Sequence, residues 1–215
     1  MKVLPLFPLE TVVFPGMTLP LRVFEARYKR LVKAAMDMEK PAFVVGTLPD
    51  TGEAEPAEAG TRMEIVETQD QPDGTIHLLA HGIERVRVTL DTVELVAEPT
   101  GGERPLHWVN AEPWPVERVD PNAERLAAWD AVTAFEAYSE RFFAESVRKQ
   151  ARAAMPDEPL YQASFVCANL HLPYTEARRL LAAPSLVQRL SDATDMMYER
   201  LTEDIEDVLG DTGQA

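Results

Sequence analysis

The chain has a single cysteine, Cys167. One thiol closes no internal disulfide and builds no multi-cysteine metal site, which suits a reducing compartment such as the cytoplasm. Cys167 is expected to be a small buried apolar residue. Long apolar runs are also missing. The opening MKVLPLFPLE is broken by Pro5 and Pro8, and no window reaches the ~20 apolar residues of a membrane helix, so neither an export signal nor an anchor is expected. Positive charge is scarce: 21 Lys and Arg stand against 36 Asp and Glu, a formal net charge of −15. That excess repels polyanions and disfavours nucleic acid, whose binding depends on phosphate contacts.

Catalytic patterns are equally thin. Lys2, Lys29, Lys33, Lys40 and Lys149 are all the lysines, and none sits in the glycine-rich setting that cradles a triphosphate. Ser146 and Lys149 form a serine-x-x-lysine string, but its companion motifs are absent and it falls in a charged helical stretch. Of the histidines His77, His81, His107 and His171, the first two share a face of an expected strand. Their Cα atoms would then lie ~13 Å apart, too far for one metal ion. No catalytic residue, metal ligand or cofactor site is assigned, and none is expected.

What is present is core material in two compositional regimes. The 215 residues are 46% hydrophobic, enough for one large domain or two small ones. Residues 1–117 are rich in Pro, Gly, Val and Thr, and read as strands; Asp120 to Leu209 is rich in Ala, Leu, Glu and Arg, and reads as helices. Between them, Pro113, Pro115 and Pro121 argue against regular structure in WVNAEPWPVERVDP and mark the boundary. The division is 1–117, 118–210 and a disordered tail over 211–215.

In the first part, short strands are expected at Val3–Leu6 and Thr18–Val23, both pushed toward edges or bends by their prolines. Helical spacing from Phe24 to Met38 predicts one helix, after which Ala42–Thr47 resumes as a strand. Pro49–Gly60 reads as a mobile loop. Strands at Met63–Val66 and Ile76–Ala80 meet through the Asp73-Gly74 turn, and further strands are expected at Val86–Leu90 and Val93–Ala97. Six or seven short strands with one helix suggest a small, closed or nearly closed barrel. The second part predicts a helix over 122–153 with a stripe of Leu126, Trp129, Val132, Phe135, Tyr138 and Phe142, then helices at Glu158–Leu170, Thr175–Ala182 and from Ser185.

Three segments carry a resemblance. LPLFPLETVVFPGMTLPLRVFEARYKRLVKAAM, PDGTIHLLAHGIERVRV and ANLHLPYTEARRLLAAPSLVQRLSDATDMM resemble, in order, the opening, the hairpin and the helical half of the N-terminal domain of Lon proteases. The second segment holds that family's Gly-hydrophobic-x-Arg pattern at Gly82 to Arg85. The resemblance implies an α+β protein, a PUA-like β-barrel with one inserted helix followed by a C-terminal four-helix bundle. It also implies recognition of unfolded or tagged polypeptides, or of a protein partner, in a stand-alone, bacterial-type cytoplasmic protein. The ATPase loop and Ser-Lys protease domain of Lon are not found in the sequence, so the expectation is a non-catalytic module in protein quality control. A monomer or weak dimer is expected. The alternative is an RNA-binding PUA-like protein.

Three groups of residues are candidates for the binding surface, since unfolded chains offer apolar side chains and unpaired backbone. Phe14 and Met17 occupy a bend, where they form either an exposed apolar tip or a cap on the core. Trp108 and Trp114 flank the boundary, lining a cleft or packing it shut. Arg22, Arg27 and Arg30, with Lys29 and Lys33, form a basic cluster opposed by Glu25 alone.

Overall fold

The computed structural model describes residues 2–46, 58–89 and 106–211. Its elements run β1 (Lys2–Pro8), β2 (Thr18–Val23), α1 (Ala26–Met36), β3 (Ala42–Gly46), β4 (Glu58–Asp70), β5 (Ile76–Thr89), β6 (His107–Pro113), α2 (Pro121–Phe142), α3 (Glu145–Ala154), α4 (Pro159–Asn169), α5 (Tyr174–Ala182) and α6 (Leu186–Asp211). The protein is thus α+β, with one six-stranded sheet and six helices among the described residues. Chain contacts divide it into two units, Met1–Pro115 with Pro173–Leu181, and Val116–Leu172 with Ala182–Ala215. No described helix is long and apolar enough to cross a membrane.

In the first unit the sheet order is β2-β5-β4-β3-β1-β6, and β6 also pairs with β5. The pairings therefore run in a closed circuit of five strands, with β2 added outside β5. Strand β3 is buried along its whole length, because its alternating side chains enter two different cores. Ala42 and Val44 join Leu4, Leu6, Val86, Val88, Val109 and Ala111 on one side. Phe43 and Val45 join Phe7, Leu31, Val32, Met63 and Leu78 on the other, where α1 packs. Tyr28 of α1 stacks on Phe7 at 4.3 Å between ring centroids. Gly60 is required by the first core: a Cβ there would lie 2.9 Å from Val88 Cγ2 and 3.0 Å from Val44 Cγ1.

Several expectations are corrected. His107–Pro113 is a strand, not a linker: β1 and β5 both pair with it, and Pro113 falls at its end, where it interrupts nothing. Strand β1 is interior; Pro5 is tolerated because β3 pairs only with Leu6, Phe7 and Pro8, leaving Pro5 opposite Trp108 alone, and Pro8 is the last residue of the strand. The strands expected at Ile76–Ala80 and Val86–Leu90 are one strand, β5, whose irregularity is absorbed at Gly82, where Met63 pairs with Gly82 but Arg62 with Glu84. Glu58–Gly60 begins β4 rather than ending a loop; the rest of that expected loop, the expected strand at Val93–Ala97 and residues 212–215 lie outside the described residues. Asp211 ends α6.

The helix expected over 122–153 is two. Asp120 caps the first through a bond from the Asn122 amide at 2.9 Å, with Pro121 opening it. It stops at Phe143, which turns extended (φ −114°, ψ 145°). That turn carries the Phe143 ring edge-on to Phe135, Tyr138 and His171. The expected large-residue stripe of α2 is buried only in part: Phe135 and Tyr138 are each 3% exposed. Leu126 and Trp129 are 62% and 67% exposed, whereas Ala128 and Ala131 meet Ala163, Leu186 and Leu190 in the core. Small residues let α6 approach closely, so the face used there is the smaller one. The second part of the chain holds five helices, not four, and α5 groups with the sheet.

Candidate polypeptide-binding surface

The bend at Phe14 and Met17 is folded onto β5. Gly16 donates to the Gly82 carbonyl (2.7 Å) and Gly82 donates to that of Met17 (2.8 Å). Gly16, at φ 91°, makes the turn possible. Phe14 is 1% exposed, and Met17 packs half-buried against the α1-side core. Of the two sequence readings, the cap describes these residues and the exposed tip does not.

Trp108 lies in β6 and is half-buried, its Nε1 enclosed without an acceptor among the described residues. Trp114 is the floor for two cations: the Arg85 and Arg87 guanidinium groups lie 4.2 and 4.7 Å from its ring centroid. Arg85 is almost wholly buried and donates to three carbonyls, those of Trp114 (2.6 Å), Leu181 (2.9 Å) and Pro115 (3.0 Å). The arginine of the Gly-hydrophobic-x-Arg pattern is thus a clamp on the end of β6 and the C-terminus of α5, inside one unit. Its fork suits this task, because several donors in fixed geometry meet several orphan acceptors.

The basic cluster is divided by the fold. Arg22 points outward from β2 and pairs with Asp73 of the β4–β5 turn at 2.8 Å. Asp73 also accepts from the Thr75 hydroxyl and amide, and these bonds, with Arg22, hold its carboxyl down at about 2. Arg27 pairs with Glu25 at 3.0 Å and covers the Tyr28 ring. It also faces His107, whose basicity is lowered first by burial and then by this positive neighbour. Arg30 goes instead with Lys29 and Lys33 to the side of α1 that faces the hairpin. Glu25 is therefore not the only counter-charge; Asp73 serves Arg22.

Two grooves among the described residues of the first unit are open. One, of about 460 Å³, crosses the outer sheet face, with Pro20 and Arg22 from β2, His77 and Leu79 from β5, and Glu67 and Gln69 from β4. The register explains it: Pro20 pairs with Leu79 and Arg22 with His77, while Glu67 and Gln69 flank the same two β5 residues. Strand β2 pairs on one side only among the described residues, so unpaired backbone borders this groove. The other, of about 450 Å³, lies on the opposite side of the hairpin, between α1 and Thr68, Asp70 and Ile76. Of these outer-face residues only Arg22 was expected in a binding surface, and His77 was weighed only as a metal ligand. Strand alternation was the available signal, but only pairing tells which alternating faces lie side by side.

No three His, Cys, Asp or Glu residues among those described could hold one metal ion. Ser146 is exposed on α3, and the Lys149 amine is held by Glu145 at 2.7 Å.

A family model for the ATP-dependent protease La (LON) substrate-binding domain matches residues 3–199. Lon protease of Solibacter usitatus is 30% identical over 202 residues, covering 91% of this chain and 24% of that protein. Lon protease of Escherichia coli is 25% identical over 206 residues, 92% of this chain and 25% of that protein. The chain therefore spans about a quarter of the length of these curated relatives. The N-terminal domain of Mycobacterium avium complex Lon protease superposes with a TM-score of 0.67 at 18% identity, covering 92% of this chain and 98% of that one. A Lon N-terminal domain protein from Xanthomonas campestris gives 0.56 at 26% identity, covering 89% and 96%.

Proposed function

The chain belongs to the family of the ATP-dependent protease La (LON) substrate-binding domain, and from that premise we propose that it recognises polypeptides without catalysing any reaction on them, as part of protein quality control. The observation that carries this reading is the outer groove beside the open side of β2. An extended chain needs partners for its backbone and apolar contact for alternate side chains; the side of β2 that no described strand pairs, with Pro20 and Leu79 beside it, offers both. Pro20 contributes no N–H, so pairing along β2 is interrupted there, which favours short engagements over a continuous added strand. The closed circuit of pairings is read as the PUA-like barrel, and the helices of the second part as its bundle. The working state is a cytoplasmic monomer or weak dimer acting on unfolded or tagged chains or a protein partner.

The test is fluorescence anisotropy of a labelled, permanently unfolded polypeptide, with its folded counterpart as control. Binding is expected to the unfolded form alone, and Leu79→Asp is expected to weaken it. Equal binding to both forms, or peptide hydrolysis that a point substitution abolishes, would overturn the reading.

A further inference from the structure

The groove between α1 and the β4–β5 hairpin differs from the outer one in its charge. Helix α1 carries Arg27, Lys29, Arg30 and Lys33 and no acidic residue, in a chain where acids outnumber bases 36 to 21. Lys29 and Lys33 are four apart and Arg30 and Lys33 three apart, so the three share a face, and like charges at this spacing destabilise a helix rather than support it. Neither Lys29 nor Lys33 forms an ion pair among the described residues, and Asp70 is the one carboxylate lining the groove.

Beneath the cations the groove is apolar. Val32 is buried at its base, Ile76 is half-buried on the hairpin wall, and Met36 is 44% exposed at the end of α1. A volume of about 450 Å³ is within the range of sites that enclose a few side chains. The positive charge of Lys29 and Lys33, which no described residue pairs, lies over an apolar floor and is complementary to a ligand that brings negative charge and a large apolar side chain together.

We propose that this groove binds an acidic, apolar-bearing polypeptide segment, with a Leu- or Phe-sized side chain against Val32, Met36 and Ile76 and carboxylates against Lys29 and Lys33. The inference rests on the polypeptide-recognition reading and adds a selectivity to it: acidic segments are taken in preference to basic ones, at a second surface on the far side of the hairpin from the outer groove. Strong net negative charge on the rest of the protein sharpens the choice, because an acidic ligand is repelled everywhere else.

The experiment titrates the intact protein into a dye-labelled peptide of Glu, Leu and Phe, and into the same peptide with Lys for every Glu. The acidic peptide should bind and the basic one should not, and added salt should weaken the binding. Lys29→Glu/Lys33→Glu should lower affinity roughly tenfold or more, since two attractions become repulsions. Lys149→Glu/Arg152→Glu, which makes the same change in net charge on α3, should leave it unaltered. Circular dichroism confirms that each variant is folded, and Lys29→Ala/Lys33→Ala gives a milder form of the test. Equal binding of both peptides, or no response to the α1 substitutions, overturns the proposal. If the unfolded polypeptide still binds while the acidic peptide does not, this selectivity fails and polypeptide recognition stands; if neither binds, both fail. Displacement of the acidic peptide by single-stranded RNA of higher affinity would assign the cations to phosphate and overturn the proposal as well.

Discussion

Replacing Arg85 should cost the first unit more stability than any surface change. Its guanidinium is buried, gives three hydrogen bonds to carbonyl oxygens at 2.6–3.0 Å, and lies 4.2 Å from the Trp114 centroid. Each charge-assisted bond is worth about 1.5 kcal/mol at the low end, and the ring contact about 1 kcal/mol more. Methionine fills much of the same space and no longer bears the desolvation cost of a buried charge, which offsets part of the loss. The net for Arg85→Met is about 3–4 kcal/mol. Arg85→Lys keeps the charge but offers one compact amine to carbonyls spread around a planar fork, so it should recover only about half. Urea unfolding followed by circular dichroism and tryptophan fluorescence measures this directly. With a slope of roughly 2 kcal/mol per molar, the midpoint for Arg85→Met should fall by about 1.5–2 M. A loss under about 1 kcal/mol, or Arg85→Lys indistinguishable from wild type, would show that the clamp does not hold the β6 and α5 ends together.

Glu124 gives a pH-dependent counterpart in the second unit. It is 2% exposed, receives bonds from Arg118 at 2.6–2.9 Å and from the Val119 amide, and its carboxyl is held below the usual range chiefly by Arg118. A carboxyl whose folded pKa is depressed stabilises the fold above its unfolded pKa and loses that contribution as pH falls through the folded value. Melting temperature should therefore drop on acidification below about pH 4.5, and Glu124→Gln should be destabilised by about 2 kcal/mol at neutral pH with a flatter acid limb; parallel acid limbs would refute the assignment. On α2, Phe135→Ala should cost about 3–5 kcal/mol because the ring is 3% exposed, while Trp129→Ala should stay within about 0.5 kcal/mol. Thermal melts of the two variants check which members of the expected stripe are buried; equal losses would refute the assignment.

The sequence by itself determined the composition of each half, the family, and the elements whose signals are local. Strand β2 runs over Thr18–Val23 as read, and the Asp73-Gly74 turn sits where the dipeptide places it, with Gly74 at φ 75°. Helices α4, α5 and α6 begin, and α4 and α5 end, within one residue of the bounds that the prolines led one to expect. These features depend on backbone dihedrals and neighbouring side chains, which a short window contains.

Tertiary structure decided the rest, because the deciding partners are far apart in the chain. Proline signals in His107–Pro113 were overruled by pairing with β1, about a hundred residues earlier. Aliphatic and aromatic size marked Leu126 and Trp129 for burial, but close approach of α6 selected alanines instead. A cluster of positive charge legible between Arg22 and Lys33 was split three ways, since a salt bridge to Asp73, a stack on Tyr28 and a groove beside Ile76 lie on different faces. The arginine of a recognisable pattern proved to be a structural clamp only when Leu181, ninety-six residues away, came within 2.9 Å. Local sequence sets which conformations are available to each segment; which faces become core, edge or groove is a property of the pairings, and those are set by the whole chain at once.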